Sequence, residues 1–107
     1  AILRDGCVDL ANRLRAKPAT KAAKASWVYF IRWGDRIKIG TSVDPKARAR
    51  SLSLTDQAIL LVIPGDRTTE RELHATFQPI RIDATEWFHA TQDLLLFIED
   101  LRSANVA

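Results

Sequence analysis

The chain has 107 residues, of which 47% are hydrophobic and 27% are charged, with one cysteine and a formal net charge of +3. These values predict a single globular domain and exclude extensive disorder, an internal disulfide and a thiolate zinc cage. The sequence has no apolar run long enough to cross a bilayer and no segment resembling a signal peptide, so we expect a cytoplasmic protein with no membrane partner. Because the sequence begins at Ala1 rather than at methionine, we expect further domains in a longer parent chain.

The charge is distributed unevenly along the sequence. Residues 1–50 contain twelve Lys or Arg against four Asp or Glu, whereas residues 51–107 contain four against nine. A basic first half suits a polyanion such as DNA, and an acidic second half can supply carboxylates for a metal ion. Mixed charge on a small domain also serves solubility alone, so both interpretations stay open.

The first segment is predicted to be helical. Residues 2–16 place Leu3, Cys7, Leu10 and Leu14 at heptad spacing, and residues 17–24 form a basic stretch with a proline and no periodicity. We therefore expect residues 1–25 to form an N-terminal helix and basic linker, and residues 26–107 to form the main domain. The leucine stripe also makes a homodimer through residues 2–16 an open alternative.

A β-hairpin is the clearest local prediction. The β-like runs Trp27–Trp33 and Ile37–Gly40 flank Gly34-Asp35, a dipeptide that suits a two-residue type I′ or II′ turn. Such a turn sets the register of three cross-strand pairs: Trp33 with Arg36, Ile31 with Lys38, and Tyr29 with Gly40.

This register also sorts the side chains by face. Successive side chains of a strand point to opposite sides, so four apolar residues share one face: Val28, Phe30, Ile37 and Ile39. Tyr29 and Lys38 lie on the other face as diagonal neighbours, roughly 7 to 8 Å apart. The hairpin therefore holds a phenol beside an ammonium, just ahead of a helix that carries Arg48.

The remaining elements alternate between helix and strand. Asp44 is an N-cap before a helix expected to run to about Leu54, and residues 58–63 predict a buried third strand. A second helix is expected from Asp66, where Thr69 and Glu72 have the spacing of a capping box. An apolar helix closes the chain. These elements predict an α+β domain with a small, three-stranded, mainly antiparallel sheet flanked by helices.

Several polar residues are difficult to explain by packing: Tyr29, Lys38, Arg48, Glu70, His74 and Glu86. Cleavage of a phosphodiester needs cations or a metal to neutralise charge, a base that deprotonates water, and an arginine matched to phosphate oxygens. Glu70 can hold Mg²⁺ or Mn²⁺ and Arg48 can bind the phosphate. Tyr29 can act as the base if Lys38 lowers its pKa from about 10. The predicted catalytic set is Tyr29, Lys38, Arg48, Glu70 and His74.

The predicted DNA contacts are the cations of the hairpin and the following helix: Arg32, Lys38, Lys46, Arg48 and Arg50. Simpler interpretations stay open beside these. Glu70 and His74 are also spaced as a surface helical pair, and Arg81 and Glu86 as an ion pair. Three large aromatics fit either base stacking or the core of a small domain: Trp27, Trp33 and Trp87.

Five short motifs occur in order: Val28 to Ile31, Lys38 to Gly40, Pro45 to Arg48, Glu70 to Phe77 and Glu86 to Phe88. In this pattern, over residues 26 to about 98, the chain resembles the GIY-YIG nuclease superfamily and most closely its phage-associated DNA-binding branch. The resemblance implies a bacterial or phage-encoded protein that acts on DNA, with a single divalent metal, Mg²⁺ or Mn²⁺, bound by Glu70.

The sequence also departs from the motifs of that superfamily. Trp27 replaces the glycine of the first motif, Lys38 replaces the second tyrosine, and Leu52 stands where Tyr or His is common. The main hypothesis is therefore a metal-dependent DNA endonuclease. Two alternatives remain, a nucleic-acid-binding module that has lost catalysis and a protein-interaction domain.

Overall fold

The computed structural model describes residues 10–12, 14 and 26–105. Residues 26–105 form four strands, β1 (Trp27–Trp33), β2 (Arg36–Ser42), β3 (Ile59–Pro64) and β4 (Trp87–His89). They also form three α-helices, α1 (Pro45–Ser51), α2 (Arg67–Thr76) and α3 (Gln92–Asn105). Short 3-10 helices precede β3 (Asp56–Ala58) and follow α2 (Gln78–Ile80). The predicted α+β class is therefore confirmed.

Little of the predicted N-terminal segment is described. Residues 10–12 and 14 are helical, and the rest of the helix expected over residues 2–16 lies outside the described residues, as does the basic linker. Leu10 and Ala11 are almost completely buried in the main core. No helix in the described part of the chain is long and apolar enough to cross a membrane.

The sheet has four antiparallel strands in the order β3-β1-β2-β4, one more than the sequence predicted. The β1–β2 hairpin has the predicted register, with Trp33 opposite Arg36 and Tyr29 opposite Gly40. Gly34 has a φ of 63° at the first turn position, which fits the type II′ turn. The extra strand, β4, pairs with β2 through three residues, and this pairing places Trp87 opposite Lys38.

Both faces of β1 are covered. The predicted apolar face, which includes Val28 and Ile39, packs into the main core together with residues of α2 and α3. The opposite face packs Tyr29 and Ile31 against Ala49 of α1 in a smaller cluster. Tyr29 is therefore buried, although its position in the hairpin alternation predicted a polar face.

The helix starts follow from side-chain caps. The Asp44 carboxylate accepts a hydrogen bond from the amide of Ala47 at 3.1 Å, as predicted, and α1 ends at Ser51, three residues before the expected Leu54. The Asp66 carboxylate accepts from the amides of Thr68 and Thr69, so the predicted capping box between Thr69 and Glu72 is wrong. Asp66 is therefore the N-cap of α2, and its carboxylate satisfies two amides of the first helical turn.

Candidate functional site

A polar cleft of about 530 Å³ lies where β1, β2, α1, α2 and the loop before β4 meet. Its lining comprises Tyr29, Lys38, Thr41, Arg48, Leu52, Arg67, Glu70, Arg71 and Glu86. The structure thus brings together four of the five residues predicted to be catalytic. The cleft contains four cationic side chains against two carboxylates, so its charge balance is positive.

Tyr29 is held against the backbone of the neighbouring strand. It lies directly opposite Gly40 in the β1–β2 pairing, and only 2% of its surface is exposed. A Cβ atom at position 40 would stand 2.5 Å from the Tyr29 hydroxyl oxygen and 2.7 Å from its Cζ atom. Glycine at position 40 therefore leaves the space in which the phenol ring lies at the edge of the cleft.

The environment of Tyr29 stabilises its neutral form. The pKa of the Tyr29 phenol is raised from 10.0 to about 12, chiefly by burial. The Glu86 and Glu70 carboxylates contribute to this increase, and the Arg48 guanidinium opposes it. The expectation that Lys38 lowers this pKa is therefore wrong. The reason is that the Lys38 ammonium pairs with Glu86, while desolvation dominates at the phenol. At neutral pH Tyr29 is a hydrogen-bond donor rather than a base.

Lys38 is fixed by contacts with the loop before β4 and with β4 itself. Its Nζ atom lies 3.0 Å from a Glu86 carboxylate oxygen and 5.6 Å from the centre of the Trp87 ring. The Glu86 carbonyl in turn accepts a hydrogen bond from the amide of Ile39. The predicted pair between Arg81 and Glu86 is not formed, because Arg81 donates to the Thr85 carbonyl instead.

The cations of the cleft come from two helices as well as from the hairpin. Arg48 is exposed on α1. On α2, Glu70 and Arg71 follow Arg67 by three and four positions, so each of them lies beside Arg67 on the helix surface. All three line the cleft. The sequence analysis missed both arginines. Arg67 lies three positions before the predicted Glu70, a spacing that would have identified it, whereas Arg71 is adjacent to Glu70 and has no such signal.

Other predicted site residues are not in the cleft lining. The Nε2 atom of His74 lies 2.9 Å from the Ile39 carbonyl oxygen and therefore donates to it, and the imidazole packs on the Phe88 ring. His74 thus ties α2 to β2. Arg32 donates to the Gly34 carbonyl on the exposed hairpin turn, and Arg50 faces Asp56 at 4.0 Å. Lys46 borders a separate, mainly apolar groove that also includes Trp27.

The oxygen donors for a metal ion are few. Among the residues that the structure describes, no three His, Cys, Asp or Glu side chains converge to hold a metal ion. Glu70 and Glu86 both line the cleft, and Glu86 is engaged by Lys38. Magnesium sites in phosphoryl chemistry commonly use one or two carboxylates and complete their coordination with substrate phosphate and water. The cleft fits that minimal donor set, with Glu70 as the free carboxylate.

The fold and the cleft define a small α+β domain with a cation-rich polar site. The chain belongs to the T5orf172 domain family, whose model matches residues 26–102. This family is phage-associated and nucleic-acid-related. Among the curated proteins and the solved structures, none matches the chain.

The family match corrects the resemblance drawn from the motifs. T5orf172 is a family distinct from GIY-YIG, so the assignment to the GIY-YIG superfamily is wrong. That assignment depended on short motifs, while Trp27, Lys38 and Leu52 departed from it. Short motifs on a hairpin and the following helix can be required by the local structure alone, as Asp44-Pro45 is at the start of α1. Such motifs are therefore weak evidence for membership of a particular family. The phage association implied by that resemblance is confirmed, because the T5orf172 family is phage-associated.

Proposed function

We propose that this domain binds DNA and that its polar cleft holds a phosphodiester of the backbone. The observation that carries the proposal is the convergence of four cationic side chains from three separate elements on one cleft: Lys38, Arg48, Arg67 and Arg71. Four cations against the two carboxylates of the same cleft leave an excess of positive charge, which a bound anion would offset. The nucleic-acid-related family supports a phosphate as that anion.

The arginines are the main phosphate ligands in this proposal. Lys38 is already neutralised by Glu86 at 3.0 Å, and only 15% of its side chain is exposed. Arg48, by contrast, is exposed on α1 and Arg71 on α2. A guanidinium presents paired N–H groups that match phosphate oxygens, and the neutral Tyr29 hydroxyl adds another donor. The cleft therefore offers a phosphate hydrogen-bond donors from two helices and from β1.

Two arginines of α1 provide a matched test. Arg48 lines the cleft, whereas Arg50 is exposed on the same helix and faces Asp56. We expect Arg48→Gln to weaken binding of a short labelled DNA roughly 10- to 100-fold, because a hydrogen bond to a charged group contributes about 1.5 to 3 kcal/mol. Arg50→Gln, with the same change in net charge, is expected to change affinity less than about threefold. Fluorescence anisotropy in EDTA measures both.

Equal losses in the two variants would show that DNA responds to total charge rather than to the cleft, and would contradict the proposal. No binding by the unaltered domain at low salt would contradict it as well. Circular dichroism shows whether each variant is folded, and both substitutions are at exposed positions.

A second candidate function, metal-assisted hydrolysis of the bound phosphodiester, is favoured by the carboxylates in the same cleft. A divalent ion such as Mg²⁺ or Mn²⁺, when bound, supplies Lewis-acid neutralisation of phosphate charge. Glu70 would hold it, Arg48 would orient the phosphate, and Tyr29 would donate a hydrogen bond to a phosphate oxygen. Because the Tyr29 pKa is about 12, removal of a proton from water requires another group.

Glu70→Gln separates cleavage from binding. The variant keeps the shape of the side chain and removes its charge, so we expect DNA affinity in EDTA to be kept or increased. If the second function is real, nicking of supercoiled plasmid in Mg²⁺ or Mn²⁺ by the unaltered domain is lost in Glu70→Gln. Nicking that survives in this variant would exclude Glu70 as the metal ligand. DNA binding without any nicking would leave the binding function alone.

A further inference from the structure

A second surface lies beside the cleft on the same side of the sheet. The register places its members in neighbouring positions of β1, β2 and β4: Trp33, Arg36, Lys38, Trp87 and His89. We call this surface the tryptophan face. Helix α1 covers the other end of this side of the sheet, where Ala49 packs on Tyr29 and Ile31. On the tryptophan face, Trp33 and His89 are exposed, and the other three residues are partly exposed.

The two indoles and two cations of this face are in mutual contact. The Trp33 and Trp87 rings meet edge to face at a centroid separation of 6.4 Å. The Arg36 guanidinium carbon lies 5.9 Å from the centre of the Trp33 ring, and the Lys38 Nζ atom lies 5.6 Å from that of Trp87. Trp33 nevertheless remains 59% exposed. A large indole with a free surface is therefore held in place by its neighbours.

Lys38 connects the tryptophan face to the cleft. Its ammonium lies over the Trp87 ring and its side chain also lines the cleft with Arg48 and Glu70. A nucleotide strand presents a phosphate and a base on every residue, so a strand with one phosphate in the cleft brings a base to the neighbouring surface. An indole flanked by cations suits this occupant, because bases stack on aromatic rings and phosphates attract the cations.

We infer that the tryptophan face stacks an unpaired base of the strand whose phosphate lies in the cleft, so that the domain prefers single-stranded DNA to duplex. This inference rests on the proposed function of the cleft. In a duplex the faces of the bases are already stacked on one another, and an exposed indole reaches them only where the strand is unpaired. Recognition by stacking is tolerant of sequence, since every base has a π-face.

The test uses three labelled probes of one length: a single strand, its duplex, and a single strand with abasic sites in place of bases. The unaltered domain is expected to bind the intact single strand most tightly. Trp33→Ala should lower that affinity roughly 5- to 150-fold and leave the duplex and abasic affinities within about twofold. Trp33→Phe, which retains a stacking ring, should keep most of the affinity.

Leu96→Ala is the matched control, because Leu96 is a large apolar residue of α3 that is 51% exposed. Leu96→Ala should leave the affinity for all three probes unchanged. The inference is overturned if Trp33→Ala leaves single-strand affinity unchanged, or if it lowers single-strand and duplex affinity equally. Self-association of the domain that is lost in Trp33→Ala would assign the face to a second copy and overturn the inference too.

The same titrations distinguish this failure from failure of the proposed function. If Arg48→Gln weakens all three probes while Trp33→Ala weakens none, the cleft binds phosphate and the stacking inference alone is wrong. If the unaltered domain binds none of the probes at low salt, both are wrong.

Discussion

The contact between Tyr29 and Gly40 shows how a single absent side chain shapes the site. The phenol ring crosses the β1–β2 pair at the position where any other residue would place its Cβ atom 2.5 Å from the hydroxyl oxygen. The ring is also buried in one cluster with Ile31 and with Ala49 of α1. The ring therefore has little room to move away from a new methyl group.

Gly40→Ala is accordingly expected to destabilise the domain by about 1 to 3 kcal/mol, which is the usual cost of overpacking a buried site. Urea denaturation followed by circular dichroism measures the free energy of unfolding. The control is Gly40→Ala made in a Tyr29→Leu background, where the clashing atoms are absent and the cost should fall below about 0.5 kcal/mol. The same cost in both backgrounds would show that Tyr29 is not the cause.

The Tyr29 pKa of about 12 gives a prediction that a single absorbance titration tests. Tyr29 is the only tyrosine in the chain, so tyrosinate absorbance reports this residue alone. We expect a midpoint near 12 in the folded domain and near 10 in urea. Glu86→Gln should lower the folded midpoint and Arg48→Gln should raise it. A folded midpoint at or below 10 would contradict the described environment.

The same pKa shift sets the direction of a stability change. Between pH 10 and about 12, Tyr29 ionises in the unfolded state but stays neutral in the folded state. Ionisation stabilises the unfolded state, so the free energy of unfolding falls over this range. The contribution of Tyr29 to stability is therefore complete below pH 10 and is lost as the pH rises through about 12.

Residue-level prediction succeeded where strand alternation and register decided the outcome. The hairpin turn fixed which residues are opposite one another, so the neighbourhood of Tyr29 and Lys38 was predictable. Residue-level prediction failed where the contact depends on the packing of elements that are distant in the sequence. The bond from His74 to the Ile39 carbonyl spans 35 positions in the sequence, and no spacing rule anticipates it. The sequence predicted helix α1, but not the packing of its Ala49 against Tyr29.

At the level of elements, α2 is the most concentrated source of cleft residues. It supplies Arg67, Glu70 and Arg71 within its first two turns. Its start is fixed by the Asp66 carboxylate, which accepts hydrogen bonds from the amides of Thr68 at 2.9 Å and Thr69 at 3.4 Å. The placement of three site residues thus depends on one cap.

Asp66→Ala should destabilise the domain by roughly 0.5 to 2 kcal/mol and weaken DNA binding, since it removes the cap beside the cleft residues. Asp66→Asn is the matched variant, because an asparagine side chain caps about as well, and it should cost less than about 0.5 kcal/mol. Thermal unfolding together with anisotropy measures both effects. If alanine and asparagine are equally harmful, the charge of Asp66 matters rather than its cap.

Strand β4 was not predicted from the sequence, and its length explains this. It has three residues, Trp87 to His89, which is too short for a period of two to be recognised. Its position as the edge strand beside β2 follows from pairing with Arg36, Ile37 and Lys38. That pairing, rather than any local pattern, brings Glu86 to Lys38. Strand β3, whose apolar run covers six residues, was predicted with an error of one residue at each end. Helix α1 was predicted from its Asp44 cap and ends three residues before the expected Leu54.

On the scale of the whole molecule, the cations of the cleft do not all come from the basic half of the sequence. The basic first half supplies Lys38 and Arg48, and the acidic second half supplies two of its four basic residues, Arg67 and Arg71, to the same cleft. The fold gathers these cations from both halves. Net charge per segment was compatible with a polyanionic partner or with solubility alone, and it did not locate the cleft.

The salt dependence of DNA binding tests whether the cations of the cleft contact DNA phosphates. Each phosphate neutralised contributes about 0.7 to the magnitude of the log–log slope for a single strand and about 0.9 for a duplex. Removal of one cleft cation by Arg71→Gln should lower the magnitude of the slope by about one such contact. Lys46→Gln, which changes net charge equally beside the apolar groove, should leave it unchanged. Equal slopes in these two variants would argue for diffuse binding.

The measurement that tests the central claim most directly is a nuclear magnetic resonance titration of the domain with a short single-stranded DNA in EDTA. We predict that amide shifts concentrate at Lys38, Arg48, Arg67, Glu70 and Arg71, with indole shifts at Trp33 and Trp87 and none at Trp27. Shifts that cluster instead at the apolar groove around Trp27 and Lys46, or that spread evenly over the surface, would contradict the assignment of the cleft as the DNA-binding site.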